Sequence, residues 1–326
     1  MAKKPSPYAN VFIGYMVRML FDDTLKGGKT RELDDVLRNE NTRLTIFSVP
    51  KPFTEHIETI QRNAIKSWVR LGPFCEIVLL GNEKGVRQVA EEFGTKFVPH
   101  IDRNDYGTPL INDVFQKAEH VAACPLMCYV NADIMLPSDF PAIVQYTSRL
   151  RRFLMVGRRW DLDLRESWNF DHANSEQELR RRLAERGQIR SFWAIDYLVC
   201  PRGMLGKLPP FAVGRPAWDN WIIYRCRCLR VPVVDATKAV TVIHQSHDYA
   251  HIRGGASNTW EGPEAEMNRE LAGGFRHIFS LRDATHFVIR ADNEIYLRRR
   301  FTLPVPIRVM VNLTIFGRAL TEKLSI

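Results

Sequence analysis

The sequence predicts an α/β fold: a single, mostly parallel sheet flanked by helices, with an extension at each end. Three observations predict it. Between Leu44 and Val130, short apolar runs alternate with stretches whose apolar residues recur at helical spacing. Pro, Gly or Asn closes most of the runs. Alternation of strand and helix in this order specifies parallel strands joined by right-handed crossovers. The composition, 45% hydrophobic and 25% charged over 326 residues, is that of an ordinary globular chain, long enough for one large or two modest domains.

Residues 1–43 form an N-terminal extension, with a short helix expected around Val11–Met16 and a break at Lys26-Gly27-Gly28-Lys29. The first strand runs Leu44–Val49, closed by Pro50-Lys51-Pro52, and Thr54 is placed to cap the helix that follows. That helix puts Ile57, Ile60, Ala64 and Trp68 on one face, and Gly72-Pro73 ends it. Ile77–Leu80 is a second strand, Val86, Val89, Ala90 and Phe93 mark a second helix, and Lys96–Val98 a third strand. After the loop His100–Thr108, a helix carrying Leu110, Val114, Ala118 and Val121 leads to a strand at Met127–Val130. Beyond it the text loosens. Strands are expected at Phe153–Val156, Phe192–Cys200, Val231–Val234 and Val240–Ile243. Helices are expected at about Ser175–Glu185 and from near Asn220 to Leu229. A basic amphipathic tail begins at 286 and includes Arg298-Arg299-Arg300 and a segment started by Pro306.

The formal charge of +9, from 46 basic and 37 acidic residues, favours an anionic partner. The basic residues are dispersed and no nucleic-acid motif is present, which argues against a nucleic-acid partner. The six cysteines lack a second metal-spaced pair, so reduced thiols and a cytoplasmic setting are expected. The apolar run Val11–Val17 is too short for a signal peptide or a membrane span, which needs about 20 residues. The basic tail leaves peripheral contact with an anionic membrane, on its inner face, as an expected partner.

The chemistry centres on Asn131-Ala132-Asp133, at the end of a buried strand. Asp is rarely buried unless paired or bound to metal, and open α/β sheets bind ligands beyond the carboxyl ends of their strands. Asp133 is therefore a candidate metal ligand, and a metal bridging a nucleotide diphosphate takes hard oxygen ligands of this kind. His244 is the second candidate, favoured over His247 because it directly follows a strand, while His251 is read as surface. Asp219 stands between Trp218 and Trp221, where desolvation suits a carboxylate to general-base work; it equally suits a helix cap. Arg103, Asn104, Gly107, Thr108 and Asn112 precede or open a helix, a natural site for an anion or ribose. Ser48 and Pro50, at the end of the first strand, would lie beside the base, and Asn131 and Ala132 are further candidate contacts to the nucleotide sugar. Trp193, Asp196 and Trp218 are the acceptor-side candidates.

These residues resemble, in order, those of nucleotide-sugar-dependent glycosyltransferases of the A-type (GT-A, Rossmann-like) fold, over roughly Leu44 to His251. Ser48-Val49-Pro50 looks like the nucleotide loop of the first strand. Gly107-Thr108-Pro109 with Asn112 is similar to the helix start near the ribose. Asn131-Ala132-Asp133 stands where the metal-binding Asp-x-Asp falls, Trp218-Asp219 where the catalytic acidic motif opens its helix, and His244 where a late metal histidine lies. The resemblance implies a transferase domain at 44–285, with a nucleotide-sugar half at 44–135 and an acceptor half at 136–285. It implies a nucleotide diphosphate sugar donor, a glycan or other hydroxyl acceptor, and Mn2+ or Mg2+ as cofactor. Asn131 replaces the first carboxylate of the motif, which removes one charge from the metal site. The alternatives are a sugar-1-phosphate nucleotidyltransferase, against which the glycine-free stretch Ser48–Thr54 speaks, and a catalytically weak nucleotide-binding scaffold.

Overall fold

The computed structural model describes residues 42–247, 259–291 and 294–324. The expectations for residues 1–41 and for His251 lie outside them. The first strands and helices follow the expected alternation: β1 (Leu44–Ser48), α1 (Glu55–Val69), β2 (Cys75–Leu80), α2 (Val86–Glu92), β3 (Lys96–Val98), α3 (Ile111–Val121) and β4 (Leu126–Val130). β1 pairs in parallel with both β2 and β4, and β2 with β3, giving the order β3-β2-β1-β4 of a Rossmann-like half. β1 and β4 are buried along their whole length, as strands covered on both faces must be. Thr54 occupies the N-cap position of α1, yet its side chain makes no capping bond; Glu55 and Glu58 in the first turn offset the exposed amides instead. Ile60, Ala64 and Trp68 are buried on α1, and Ala64 and Trp68 pack beneath the sheet.

The second half adds short elements. These are β5 (Ile134–Met135), α4 (Phe140–Ser148), β6 (Leu154–Val156), β7 (Arg159–Leu162), α5 (Ser175–Arg186), β8 (Gln188–Ile189), β9 (Tyr197–Pro201) and α6 (Trp218–Cys228). β10 (Val233–Lys238), β11 (Val242–Gln245), α7 (Pro263–Leu271), β12 (His286–Ala291), β13 (Glu294–Arg299) and α8 (Val305–Leu324) complete it. The main sheet reads β13-β12-β10-β6-β9-β4-β1-β2-β3 and is mostly parallel; β9 runs antiparallel between β4 and β6. A smaller sheet, β5-β11-β7-β8, stands beside its carboxyl rim. The expected α/β sheet flanked by helices is therefore present.

Of the boundaries that differ, three bear on the site or the tail. The strand expected at Phe192 starts at Tyr197, because its partner β4 stops at Val130, opposite Tyr197; the preceding residues form a turn closed by Ala194 N–H to Ser191 O. The strand expected to end at Ile243 extends to Gln245, because β5 and β7 give it partners on both sides, so His244 lies within the strand. Residues from His286 join the main sheet through β12 and β10, so the amphipathic part of the expected tail begins at α8.

Candidate active site

Asp133, His244, His247, Lys51 and Asp161 gather where the two sheets meet. The chain leaves β4 in a tight turn, with Ile134 N–H bonding Asn131 O, and re-enters as β5. β11 pairs antiparallel with β5 and parallel with β7, in a register that sets His244 opposite Ile134 on one side and Asp161 on the other. Side chains alternate along a strand. His244 accordingly faces the turn, while Gln245 points the other way and is fully buried. There Gln245 donates to Ile60 O at 2.8 Å and accepts from Asn63 at 2.9 Å, while its backbone N–H bonds Asp133 O at 3.1 Å. α1 also holds the turn directly, through Trp68 Nε1 to Ile134 O (2.8 Å) and Leu136 N–H to Ser67 Oγ (3.0 Å). The loop is thus clamped from two elements before any ligand arrives.

Around Asp133 the geometry suits a cation. Asp133 Oδ2 lies 3.1 Å from His247 Nε2, 3.8 Å from His244 Nε2 and 4.0 Å from Lys51 Nζ. One ligand atom from each of Asp133, His244 and His247 falls within 4.8 Å of the others. Asp133 Oδ1 is buried without a hydrogen-bond partner, a cost that a metal ion would remove. Burial pushes the Asp133 carboxyl up, but His244, the bond to His247 and the Lys51 charge together hold it well below the ordinary carboxylate range. His244 Nδ1 lies 3.1 Å from Asp161 Oδ1, so a carboxylate stands behind the ring, an arrangement that fixes metal-binding histidines. One carboxylate oxygen and two imidazoles make a mixed donor set: the oxygen suits Mn2+ or Mg2+, and the imidazoles favour a transition ion, which speaks for Mn2+ over Mg2+. His247, the less favoured histidine on sequence grounds, belongs to the group as much as His244 does.

Asn131 plays another part. Its amide donates to Asp196 Oδ1 at 2.8 Å, and its oxygen accepts from the Tyr129 hydroxyl at 3.0 Å. Asp196 also takes a bond from Arg159 at 2.6 Å, and Arg159 reaches Asp161 at 3.0 Å. Burial opposes the charge on Arg159, but Asp196 and Asp161 outweigh it and raise the guanidinium pKa. A partly buried chain of polar groups therefore links the turn to the histidines. Asp196, expected on the acceptor side, is buried and ion-paired. Trp218, expected there too, is only 5% exposed and packs edge-on against Tyr129, so its indole is core. Trp193 alone of the three is open, at 42%.

Asp219 lies in the first turn of α6. Ala217, which precedes that helix, sits at φ 88°, a strained position for a residue with a Cβ. Directly after it Trp218 is buried in the core and Asp219 stays partly open. Asp219 Oδ1 accepts from the Asn220 N–H at 2.8 Å, so the carboxylate is a first-turn capping group as well. Burial, opposed by that bond and reinforced by Asp196, raises its pKa to about 7. The same Asp196 and Arg159 fields reach Lys51, which ties Asp219 electrostatically to the Asp133 group.

The remaining sequence candidates divide. Ser48 is fully buried and donates to Val130 O at 2.6 Å, which fastens β1 to β4. Pro50 is buried beside it, and Ala132 is buried within the turn. Arg103 pairs with Glu83 at 2.5 Å and donates to Gly107 O at 2.8 Å. Asn104 accepts from the N–H groups of Tyr106 and Thr108 and donates to Glu264 at 2.8 Å. Gly107, at φ 80°, takes the left-handed turn this loop requires. These residues shape their own loop, whereas Asn112, in the first turn of α3, keeps a buried Oδ1 with no partner. Because β1, β2, β3 and β4 are parallel, the loops after them share the rim that holds Asp133. Lys51, Arg159, Asp161, Arg215 and Glu264 were not singled out by sequence; only Lys51, directly after Pro50, carried a positional signal.

No family model matches the sequence, and no curated protein matches it. Solved structures overlap it in part. Residues 1–349 of TarS from S. aureus align at 10% identity and a TM-score of 0.42, covering 62% of this chain and 60% of that one. A mannosyltransferase from Pyrobaculum calidifontis, solved with GDP-Man and Mn2+, aligns at 11% and 0.42, covering 72% and 64%. Glucosyl-3-phosphoglycerate synthase from M. tuberculosis aligns at 11% and 0.44, covering 77% and 89%. The chain thus spans about three fifths of the first two. These overlaps are partial likenesses of fold; the chemistry of the rim rests on this chain's own strand order and side chains.

Proposed function

We propose that the chain is a glycosyltransferase that moves a sugar from a nucleotide diphosphate sugar to an acceptor hydroxyl. The observation that carries this reading is the meeting of Asp133, His244 and His247 at the carboxyl rim of a Rossmann-like sheet. Mn2+ or Mg2+ held there would neutralise charge on the departing diphosphate. Asp219, with a pKa of about 7, takes the proton from the acceptor hydroxyl. The hydroxyl oxygen then bonds to the anomeric carbon as the bond from that carbon to the diphosphate oxygen breaks, on the opposite face, with inversion. Asn112 is the candidate ribose contact, through its unpartnered oxygen. Asn131 and Asp196 hold the turn and Arg159, and do not touch the substrates in this reading.

A screen of UDP- and GDP-sugars with Mn2+ or Mg2+, read by thermal shift and by slow sugar hydrolysis, tests the proposal. Stabilisation and hydrolysis that need the ion support it; a protein indifferent to every nucleotide sugar refutes it. Pyrophosphate release from a nucleoside triphosphate and a sugar phosphate would favour nucleotidyl transfer instead.

The exposed Trp193 is the candidate platform for an acceptor glycan, since an indole face covers the apolar face of a sugar. Trp193→Ala is expected to raise the acceptor KM by roughly tenfold, in line with a loss of about 1–2 kcal/mol of stacking, while donor hydrolysis stays unchanged.

The location we infer is a membrane surface. No helix among the described residues is long and apolar enough to cross a bilayer. α8 instead exposes Ile307, Met310 and Leu313 at three-residue spacing, beside exposed Phe301 and Leu303. From Ile295 to Thr321 the chain holds five arginines and no acidic residue; Arg300 and Arg308 are paired with Asp235 and Asp283, and Arg298 and Arg299 stand beside this apolar face. Such a face suits an anionic lipid surface. Co-sedimentation with vesicles containing phosphatidylserine should fall sharply for Ile307→Asp combined with Met310→Asp; equal sedimentation would discard this part.

A further inference from the structure

We propose that Lys51 is a second cation for the donor diphosphate: its ammonium group and an ion on Asp133 grip the same anion, and Lys51 alone retains part of that grip when the ion is removed. The inference rests on the donor reading above and deepens it.

The position of Lys51 is built. Its backbone N–H donates to Gln61 Oε1 at 2.6 Å, and Gln61 Nε2 donates to its carbonyl at 2.9 Å. Gln61 is almost wholly buried on α1, so this amide clamp fixes where the lysine leaves the chain. The side chain then reaches back over the metal group, with Nζ 3.4 Å from His247 Nε2 and 4.0 Å from Asp133 Oδ2. It keeps 36% of its surface open, so the recess that lowers its pKa through desolvation still admits a ligand.

The neighbouring charges leave Lys51 as the cation in need of an anion. Arg159 is held by Asp196 and Asp161, and Arg215 by Glu264, each at hydrogen-bond distance. Asp133, the nearest carboxylate to Lys51, is 4.0 Å away and is turned toward two histidines. An ion placed on Asp133 would take up that carboxylate and leave three ammonium N–H donors beside the metal. A diphosphate, with oxygens on both phosphorus atoms, can meet the ion and the ammonium together, and a compact point charge is the form in which lysine binds phosphate.

The test uses the full chain, with Lys51→Gln and Lys51→Arg, and titrates inorganic pyrophosphate, UDP and GDP in EDTA and in Mn2+. Mn2+ alone is titrated separately by electron paramagnetic resonance. In EDTA, wild type is expected to bind pyrophosphate measurably, Lys51→Gln at least about tenfold more weakly, and Lys51→Arg in between. Mn2+ alone should bind Lys51→Gln no more weakly than wild type, since a cation about 4 Å from the ion has been removed. Equal pyrophosphate affinity in wild type and Lys51→Gln overturns the proposal. So does a parallel loss of Mn2+ binding, which would make Lys51 a prop for the metal group. Failure of the donor reading looks different: wild type then binds neither UDP nor GDP even with Mn2+, and both inferences fall together.

Discussion

Asp219→Asn is expected to abolish sugar transfer and to leave donor binding intact. The substitution keeps the shape of the side chain and its acceptance of the Asn220 N–H, so α6 starts as before. It removes only the capacity to take a proton. General-base catalysis is worth about 10²–10⁴-fold, and the loss should appear in kcat with little change in the donor KM. The wild-type rate should rise through a limb near pH 7, the value to which burial brings this carboxyl, because the reactive form is the deprotonated one. The same shift carries a stability signature. A carboxyl whose folded pKa lies above its unfolded value favours the fold when protonated. That contribution is complete below about pH 4 and is lost as the pH rises through about 7. Asp219→Asn cannot ionise, so it should melt roughly 2–5 °C above wild type at pH 8 and level with it at pH 4. An active Asp219→Asn enzyme, or a pH profile with no limb near 7, removes the base role.

Asp133→Asn is the second large effect. Among the metal candidates Asp133 alone brings a negative charge, and it brings it to a place where burial, two histidines and Lys51 already hold it ionised. The amide offers one weak oxygen and no charge. Mn2+ affinity should fall by at least about a hundredfold, the upper end of what is lost when only a supporting partner is removed. Stability changes too. A depressed carboxyl pKa stabilises the fold above the unfolded pKa near 4 and loses that contribution as the pH drops further. Asp133→Asn should therefore lower the melting temperature at pH 7, and the gap should close as wild type is acidified. Unchanged Mn2+ binding in this variant would show that the ion, if any, sits elsewhere.

The sequence made the first half of the fold legible because its strands are buried on both faces and separated by well-punctuated helices. β1 to β4 and their helices fall nearly where the apolar pattern puts them. The second half was less legible for a physical reason: its strands are short and take their lengths from their partners. β9 starts where β4 stops, and β11 is extended by β5 and β7, which pulled His244 into the strand. At the site, Asp133 could be read from one fact, a carboxylate ending a buried strand. Asp219 could be read from its flanking indoles, although one of them, Trp218, proved to be core. In the sequence only nearness to a strand separates His244 from His247, and it favours His244. Lys51 and Arg159 gave no motif at all. Their roles come from the clamp of Gln61 and from the Asp196–Asn131 bond, contacts between residues far apart in the chain.

Asp133, His244 and His247 should share one ion at the donor site. Crystals grown with Mn2+ and UDP or GDP, measured at the manganese absorption edge, would reveal it. One anomalous peak touching Asp133, His244 Nε2, His247 Nε2 and the nucleotide diphosphate is the predicted result. A nucleotide bound away from this rim, or a manganese peak that leaves these three side chains untouched, would contradict it.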